Sequence, residues 1–495
     1  MKKYLKIVAV ALLIISTLSF SCSALTQGSD YMYDGYNESY AAPSAYVAGK
    51  IYTGLDMGTT ALNGAQDLYV SPENELYIVD TKNSRIVITD SQMQFVREIK
   101  EYIEDGEAKP LNQPKGVYLG CDGLLYICDT GNKQIVALDK ENNLVRKDIG
   151  DEIVAVNKNI EFKPEKIVMD KEKTIYVVDP NIYQGILQYD ENLNFESFFA
   201  PNDVTVTASV RFQYMWKNFF SDEQNDFMQL ALPAPYNNVF MTADNFIYTT
   251  ATGVEIGDEL KCLNAIGKNI LVTPQSELGQ VAFGDLEVSF EGTKQITSYF
   301  VDIHCDENGL ITAIDQKRGR IFQYDKECNL VCIFGGLGKN KGIFDNAVSI
   351  EKLDGKYIVL DASTNTITSF EPTDYIESVY EALDYYNQGL YEESVGLWEN
   401  ILNQNNSYTT AYKSIGRAYM QQGFYKDAMD MLEKGNDKYF YSMALKEYRK
   451  EFTRNNMWWM VILFVVGLGL VVNGIKRLRF WLLSRPFPKK NKKKG

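Results

Sequence analysis

The stretch Leu68-Tyr69-Val70-Ser71-Pro72-Glu73-Asn74-Glu75-Leu76-Tyr77-Ile78-Val79-Asp80-Thr81-Lys82-Asn83-Ser84-Arg85-Ile86 returns with variation at Gly116-Val117-Tyr118-Leu119, then Asp122-Gly123-Leu124-Leu125-Tyr126-Ile127-Cys128-Asp129-Thr130-Gly131-Asn132-Lys133-Gln134-Ile135. Each copy alternates short β-rich runs with Asp/Asn/Gly turns, as a small antiparallel sheet requires. Asp80 and Asp129 lie about fifty residues apart, and later copies place Asp179 after Ile175-Tyr176-Val177-Val178, Asp315 after Leu310-Ile311-Thr312-Ala313-Ile314, and Asp361 after Tyr357-Ile358-Val359-Leu360. A degenerate copy around Ala243-Asp244-Asn245-Phe246-Ile247-Tyr248 brings the count to six. One such sheet cannot bury both faces alone, whereas six stacked around an axis can, with only short edges left over. The expectation is an all-β six-bladed propeller over residues 45–371 within a multidomain chain.

The unit resembles the NHL repeat, whose Asp-x-x-Asn-x-x-Ile pattern after an Ile-Tyr-Val strand is met by Asp80 to Ile86 and by Asp129 to Ile135. The resemblance implies a propeller whose turn aspartates are structural, because their carboxylates can cap backbone amides in the links between strands. The ring must also close. The last copy ends near Phe370 without an outer strand, and the β-rich run Ala45-Tyr46-Val47-Ala48-Gly49-Lys50-Ile51-Tyr52 precedes the first copy unpaired. This N-terminal run is therefore expected to complete the sixth blade. Between the third and fourth copies, residues 200–236 exceed an ordinary connection and are rich in aromatics. Phe212, Tyr214, Trp216, Phe219 and Phe220 are the candidate ligand or partner contacts there, since long propeller insertions commonly lie over one face. The competing reading is a helix that packs on the propeller and seals it.

A second period follows Pro372. Gly389, Tyr391 and Ser394 recur as Gly423, Tyr425 and Ala428, each 34 residues later. This resembles the tetratricopeptide repeat, a helix-turn-helix unit with small residues where paired helices approach. Residues 375–452 are expected to hold two such helical repeats and a capping helix, leaning on the propeller because two copies are too few to stand alone.

The ends read as membrane and export signals. Lys2, Lys3 and Lys6 precede an apolar run, so residues 1–24 are expected to be a signal peptide, with a lipid anchor on Cys22 as the alternative. Residues 457–475 are uncharged and long enough to span a bilayer. Trp458 and Trp459 mark one interface, and Lys476, Arg477 and Trp481 the other. The basic tail 476–495 is expected in the cytoplasm and the rest outside, at the cell membrane. The net charge of −15 becomes −27 when the nine basic residues of that tail and the three N-terminal lysines are set aside. So acidic a body repels a phosphate backbone, and nucleic acid is not expected as a partner.

Chemistry is sparsely signalled. His304 is the single histidine, which removes multi-histidine metal sites; no catalytic, cofactor or metal residues are assigned. Lactonase-like six-bladed propellers hold a metal on the axis with acidic and Asn residues, and composition leaves that reading open. Cys22 aside, six cysteines follow without a framework spacing and are expected to be buried or reduced thiols. The expected function is a membrane-anchored scaffold or binding protein recruiting a protein, peptide or carbohydrate, or serving a membrane transporter complex. An extracellular lactonase- or hydrolase-like enzyme is the alternative. A carboxylate cluster on the axis around a cation would favour the enzyme, and a hydrogen-bond-saturated axis the scaffold.

Overall fold

The computed structural model describes residues 30–156, 161–203, 233–254, 257–271, 275–276, 279–280, 283–286, 289–291, 294–296 and 298–484. Six antiparallel sheets follow the repeat. Blade 1 runs Asp67–Val70, Leu76–Asp80, Arg85–Thr89 and Phe95–Ile99, and blade 2 runs Gly116–Leu119, Leu125–Asp129, Gln134–Leu138 and Leu144–Asp148. Blade 3 begins at Lys166–Met169, blade 4 at Tyr236–Met241, blade 5 at Phe300–Cys305 and blade 6 at Ala347–Leu353. These six innermost strands each neighbour the next, and the sixth neighbours the first, so the ring is closed. Second strands such as Leu76–Asp80 and Leu125–Asp129 are buried throughout, because both faces of each sheet are covered by adjoining blades.

Closure uses the N-terminal run. Tyr46–Tyr52 pairs antiparallel with Thr366–Pro372 as the outer strand of blade 6, with Tyr46 opposite Pro372 and Tyr52 opposite Ile367. Tyr46 stacks on Phe334 at 4.5 Å between ring centroids and so ties blade 6 to blade 5. Non-local closure of this kind joins chain ends that otherwise lie more than 300 residues apart.

The turn aspartates hold the links between blades. Asp80 accepts from the backbone N–H of Asn63 at 2.7 Å, Asp129 from Asn112 at 2.7 Å, Asp179 from Lys163 at 2.5 Å, Asp315 from Tyr299 at 3.1 Å and Asp361 from Asp345 at 2.7 Å. Each acceptor thus fixes the segment that enters its own blade. The repeat asparagines add to this, with Asn83 donating to Asp80 and Asn132 to Asp129, both at 2.8 Å. Blade 4 has Ala251 where the others have aspartate, and three strands among the described residues, in keeping with its degenerate sequence.

Five helices follow: α1 Asp374–Asn387, α2 Tyr391–Gln404, α3 Thr409–Gln422, α4 Tyr425–Lys434 and α5 Lys438–Leu483. Thr373 caps α1 by accepting from the Ile376 N–H. The 34-residue spacing has a structural counterpart. Gly389 (φ 79°) and Gly423 (φ 84°) both take the left-handed conformation that ends a helix, Tyr391 and Tyr425 both open the next one, and Ser394 and Ala428 are both fully buried where the hairpins close. The helices are not a separate lobe. Tyr375, Ile376, Val379, Trp398, Ile401 and Tyr408 share one buried cluster with Val331, Phe334, Phe344 and Phe370 of blades 5 and 6. The Tyr408 hydroxyl donates to the Val331 carbonyl at 3.2 Å, and Tyr380 to Gln323 Oε1 at 2.5 Å.

Helix α5 is 46 residues, roughly 70 Å at about 1.5 Å per residue. Its first turns pack on α4 through Ala444 and Phe440, while the stretch 457–475 is not buried by any of the described residues and exposes Trp458, Trp459, Leu463 and Phe464 by 69–79%. A continuous apolar surface of that length is what a bilayer covers, and α5 is a candidate membrane-spanning helix. Lys476, Arg477 and Trp481 continue it as one helix. The cysteines 121, 128, 262, 305, 328 and 332 are all free thiols, and all but Cys121 are buried.

Candidate functional site

The strand pairing places side chains from all six blades on the axis in two tiers. The first residue of each tier lies opposite the residue just before the turn position: Asp67 opposite Val79, Gly116 opposite Cys128, Lys166 opposite Val178, Asn238 opposite Thr250, Asp302 opposite Ile314 and Ser349 opposite Leu360. Because strand side chains alternate, the residues two further on point the same way. They are Tyr69, Tyr118, Val168, Phe240, His304 and Glu351. Asp67, Tyr69, Tyr118, Lys166, Asn238, Phe240, Asp302, His304 and Glu351 accordingly line one axial cavity of about 280 Å³.

The first tier is a polar network. Lys166 Nζ donates to Asp67 Oδ1 and lies 4.0 Å from Asp302 Oδ1. Asn238 Nδ2 donates to Asp302 Oδ1, while Asp302 Oδ2 accepts the Ile350 N–H at 2.7 Å. Ser349 Oγ donates to Asp67 Oδ1 at 3.5 Å and accepts the Leu68 N–H at 3.1 Å. Burial raises the Asp67 carboxyl to about 7 against the pull of Lys166. For Lys166 burial works against the charge, but Asp67 and Asp302 outweigh it and hold the ammonium above its ordinary range.

The second tier mixes aromatic and charged groups. His304 Nδ1 is 2.9 Å from Glu351 Oε2, with the imidazole packed 4.9 Å from Phe240 and 6.0 Å from Tyr357. Burial raises the Glu351 carboxyl, and the hydrogen bond from His304 pulls it back. The Tyr69 and Tyr118 rings lie 5.0 Å apart, their hydroxyls donating to the Leu119 carbonyl at 3.4 Å and the Met169 carbonyl at 3.2 Å.

Residues 111–138 match the NHL repeat. That segment is the first three strands of blade 2 with their approach and turns. Solved structures align with the chain at 9–10% identity. Virginiamycin B lyase from Staphylococcus aureus with quinupristin aligns over 71% of this chain and 97% of its own at a TM-score of 0.38. A gluconolactonase from Xanthomonas campestris aligns over 70% and 99% at 0.36, and a luciferin-regenerating enzyme over 63% and 92% at 0.39. No curated protein matches the chain.

The sequence placed its candidate contacts elsewhere. Phe212, Tyr214, Trp216, Phe219 and Phe220 lie outside the described residues. Gly389, Tyr391, Gly423, Tyr425 and Ala428 sit at the helix turns, remote from the axis, and Trp458, Trp459, Lys476, Arg477 and Trp481 sit on α5. His304, the single histidine, faces the axial cavity beside Glu351. Asp67, Lys166, Asn238, Asp302 and Glu351 were not singled out. A signal for the first four exists: each stands thirteen residues before the turn position of its copy, Asp80, Asp179, Ala251 and Asp315.

Proposed function

We propose that this protein is a membrane-anchored extracytoplasmic binding module, using its propeller and its tetratricopeptide-like helices to recruit a protein, peptide or glycan at the membrane, as a scaffold or as accessory to a transporter complex. The observation that carries this over catalysis is the state of the axis. Its carboxylates converge, but the cation between Asp67 and Asp302 is the chain's own Lys166, and both Asp302 oxygens already accept from Asn238 and the Ile350 N–H. A metal held there would have to displace a lysine from a buried ion pair, so these residues do not fit an axial metal of the lactonase kind. The continuous core of blades 5 and 6 with α1–α3, and the packing of α3 and α4 on α5, support the anchoring half of the reading, since they connect the propeller to α5.

The orientation belongs to the same reading: Lys476, Arg477 and Arg479 follow the apolar stretch at once, which favours a cytoplasmic C-terminus. The test is a membrane pull-down with the full chain, with and without residues 200–236, alongside turnover assays on a lactone panel with and without divalent cations. A specific membrane complex lost with the insertion supports the proposal. Metal-dependent turnover with no partner recovered overturns it. The rival, a hydrolase-like propeller, draws on the His304 and Glu351 pair, an arrangement able to move a proton.

A further inference from the structure

The axial cavity holds more carboxyl groups than the chain supplies cations to pair with them. Asp67, Asp302 and Glu351 line it, and Lys166 is the cation set among them. Lys352, at its rim, is committed to Asp306 Oδ2 at 3.3 Å and lies over the Tyr357 ring. Acceptors are also left over. Asp67 Oδ2, Glu351 Oε1 and His304 Nε2 engage no group among the described residues, although Asp67 and His304 are only 5% and 8% exposed. Facing them are Tyr69, Tyr118 and Phe240, aromatic surfaces whose tyrosine hydroxyls are already spent on backbone carbonyls.

Free acceptors and aromatic rings lining the same cavity suit one ligand chemistry. A positive charge gains from both walls, from the carboxylates by charge-assisted hydrogen bonds and from the rings by cation–π attraction. An anion is repelled, and a neutral polyol meets few free donors. At about 280 Å³ the cavity falls at the small end for ligand sites, which limits the occupant to a small molecule or a single side chain. The acidic body, at −27 once the basic ends are set aside, draws cations toward it.

We infer that the axial cavity binds a small organic cation, a protonated amine on an apolar or flat body, held between the Glu351 and Asp67 carboxylates and the Tyr69, Tyr118 and Phe240 rings. This rests on the reading of the protein as a binding module and names the ligand class of its axial site. The amine arrives either as a free molecule or as the side chain of a peptide.

The test uses the full chain in nanodiscs and isothermal titration with phenethylammonium, the uncharged phenethyl alcohol, the anion phenylacetate and an acetyl-Gly-Lys-Gly-amide peptide. Phenethylammonium is expected to bind with the alcohol weaker by about ten-fold or more and phenylacetate silent, as a lost charge-assisted bond implies. Binding of the peptide as well assigns the site to a protein partner's lysine, and binding of the free amine alone to a small molecule; either supports the inference. Glu351→Gln should weaken phenethylammonium about ten-fold, and Tyr118→Leu, on the opposite wall, several-fold, with both variants keeping the wild-type melting curve. Equal affinity for amine and alcohol, or an unchanged affinity in folded Glu351→Gln, overturns the inference. If no amine binds while the membrane complex of the preceding section is still recovered, the cation site is wrong and the binding-module reading stands; if the complex is also absent and lactones turn over, both fall.

Discussion

Replacing Lys166 by Met tests whether the axis is held by an internal ion pair. The substitution keeps the volume and removes the one cation between Asp67 and Asp302. At the 4.0 Å separation from Asp302, a unit charge pair in an effective dielectric of about 20 is worth about 4 kcal/mol. The contact with Asp67 is closer, and the desolvation of Lys166 is regained, so the net loss expected is about 3–5 kcal/mol, the range for breaking one side of a buried pair. The pH dependence carries the sharper signature. Burial already raises Asp67 to about 7, and without Lys166 it rises further. A carboxyl whose folded pKa is raised binds more protons folded than unfolded, so its contribution to stability is present at low pH and is lost as pH climbs through the folded value. The deficit of Lys166→Met should therefore be near 3–5 kcal/mol at about pH 8 and shrink to about 1–2 kcal/mol at about pH 5. Urea unfolding of the full chain in detergent, followed by the fluorescence of Trp398, buried where the helices meet the propeller, reads both. Lys166→Met combined with Asp67→Asn should recover part of the deficit at the higher pH. A deficit equal at both pH values, or below about 1 kcal/mol at pH 8, would refute the ion-pair reasoning.

Other perturbations check separate parts of the structure. Asp129→Ala leaves the Asn112 N–H and the Gln134 and Asn132 amides without their acceptor, and urea unfolding should show a loss of about 2–3 kcal/mol; a neutral result would make the turn aspartates dispensable. Tyr46→Ala removes a buried ring from the closing strand and should cost about 3–5 kcal/mol, with hydrogen exchange rising first in Thr366–Pro372 rather than in blade 2. Chelator or added calcium should leave the melting temperature unchanged, because Lys166 stands where an axial metal would sit; a calcium-dependent rise in melting temperature would contradict that. Amine affinity should increase between about pH 6 and pH 8 as Asp67 ionises at about 7 among Lys166, Asp302, Glu351 and His304, and titration at three pH values would show a flat profile if Asp67 takes no part.

The repeat of Asp80, Asp129, Asp179, Asp315 and Asp361 was sufficient for the propeller, because a periodic turn needs only local chemistry to declare itself. The closing strand was legible for a related reason: a β-rich run without a partner at one end and a blade without an outer strand at the other define one pairing. The 34-residue spacing likewise announced two helical hairpins, and the uncharged stretch at 457–475 a helix that water would not cover. The axial site was a different matter. Asp67, Lys166, Asn238 and Asp302 are spread over 235 residues and comprise three residue types, so nothing but their common offset of thirteen residues from the turn position links them. Only closure of six blades brings Lys166 between two aspartates and His304 against Glu351, and only the registers of Asp67 with Val79 and Lys166 with Val178 decide that these side chains point inward. Strand periodicity determines which residues share a face; which of the two faces meets the axis is a property of the assembled ring.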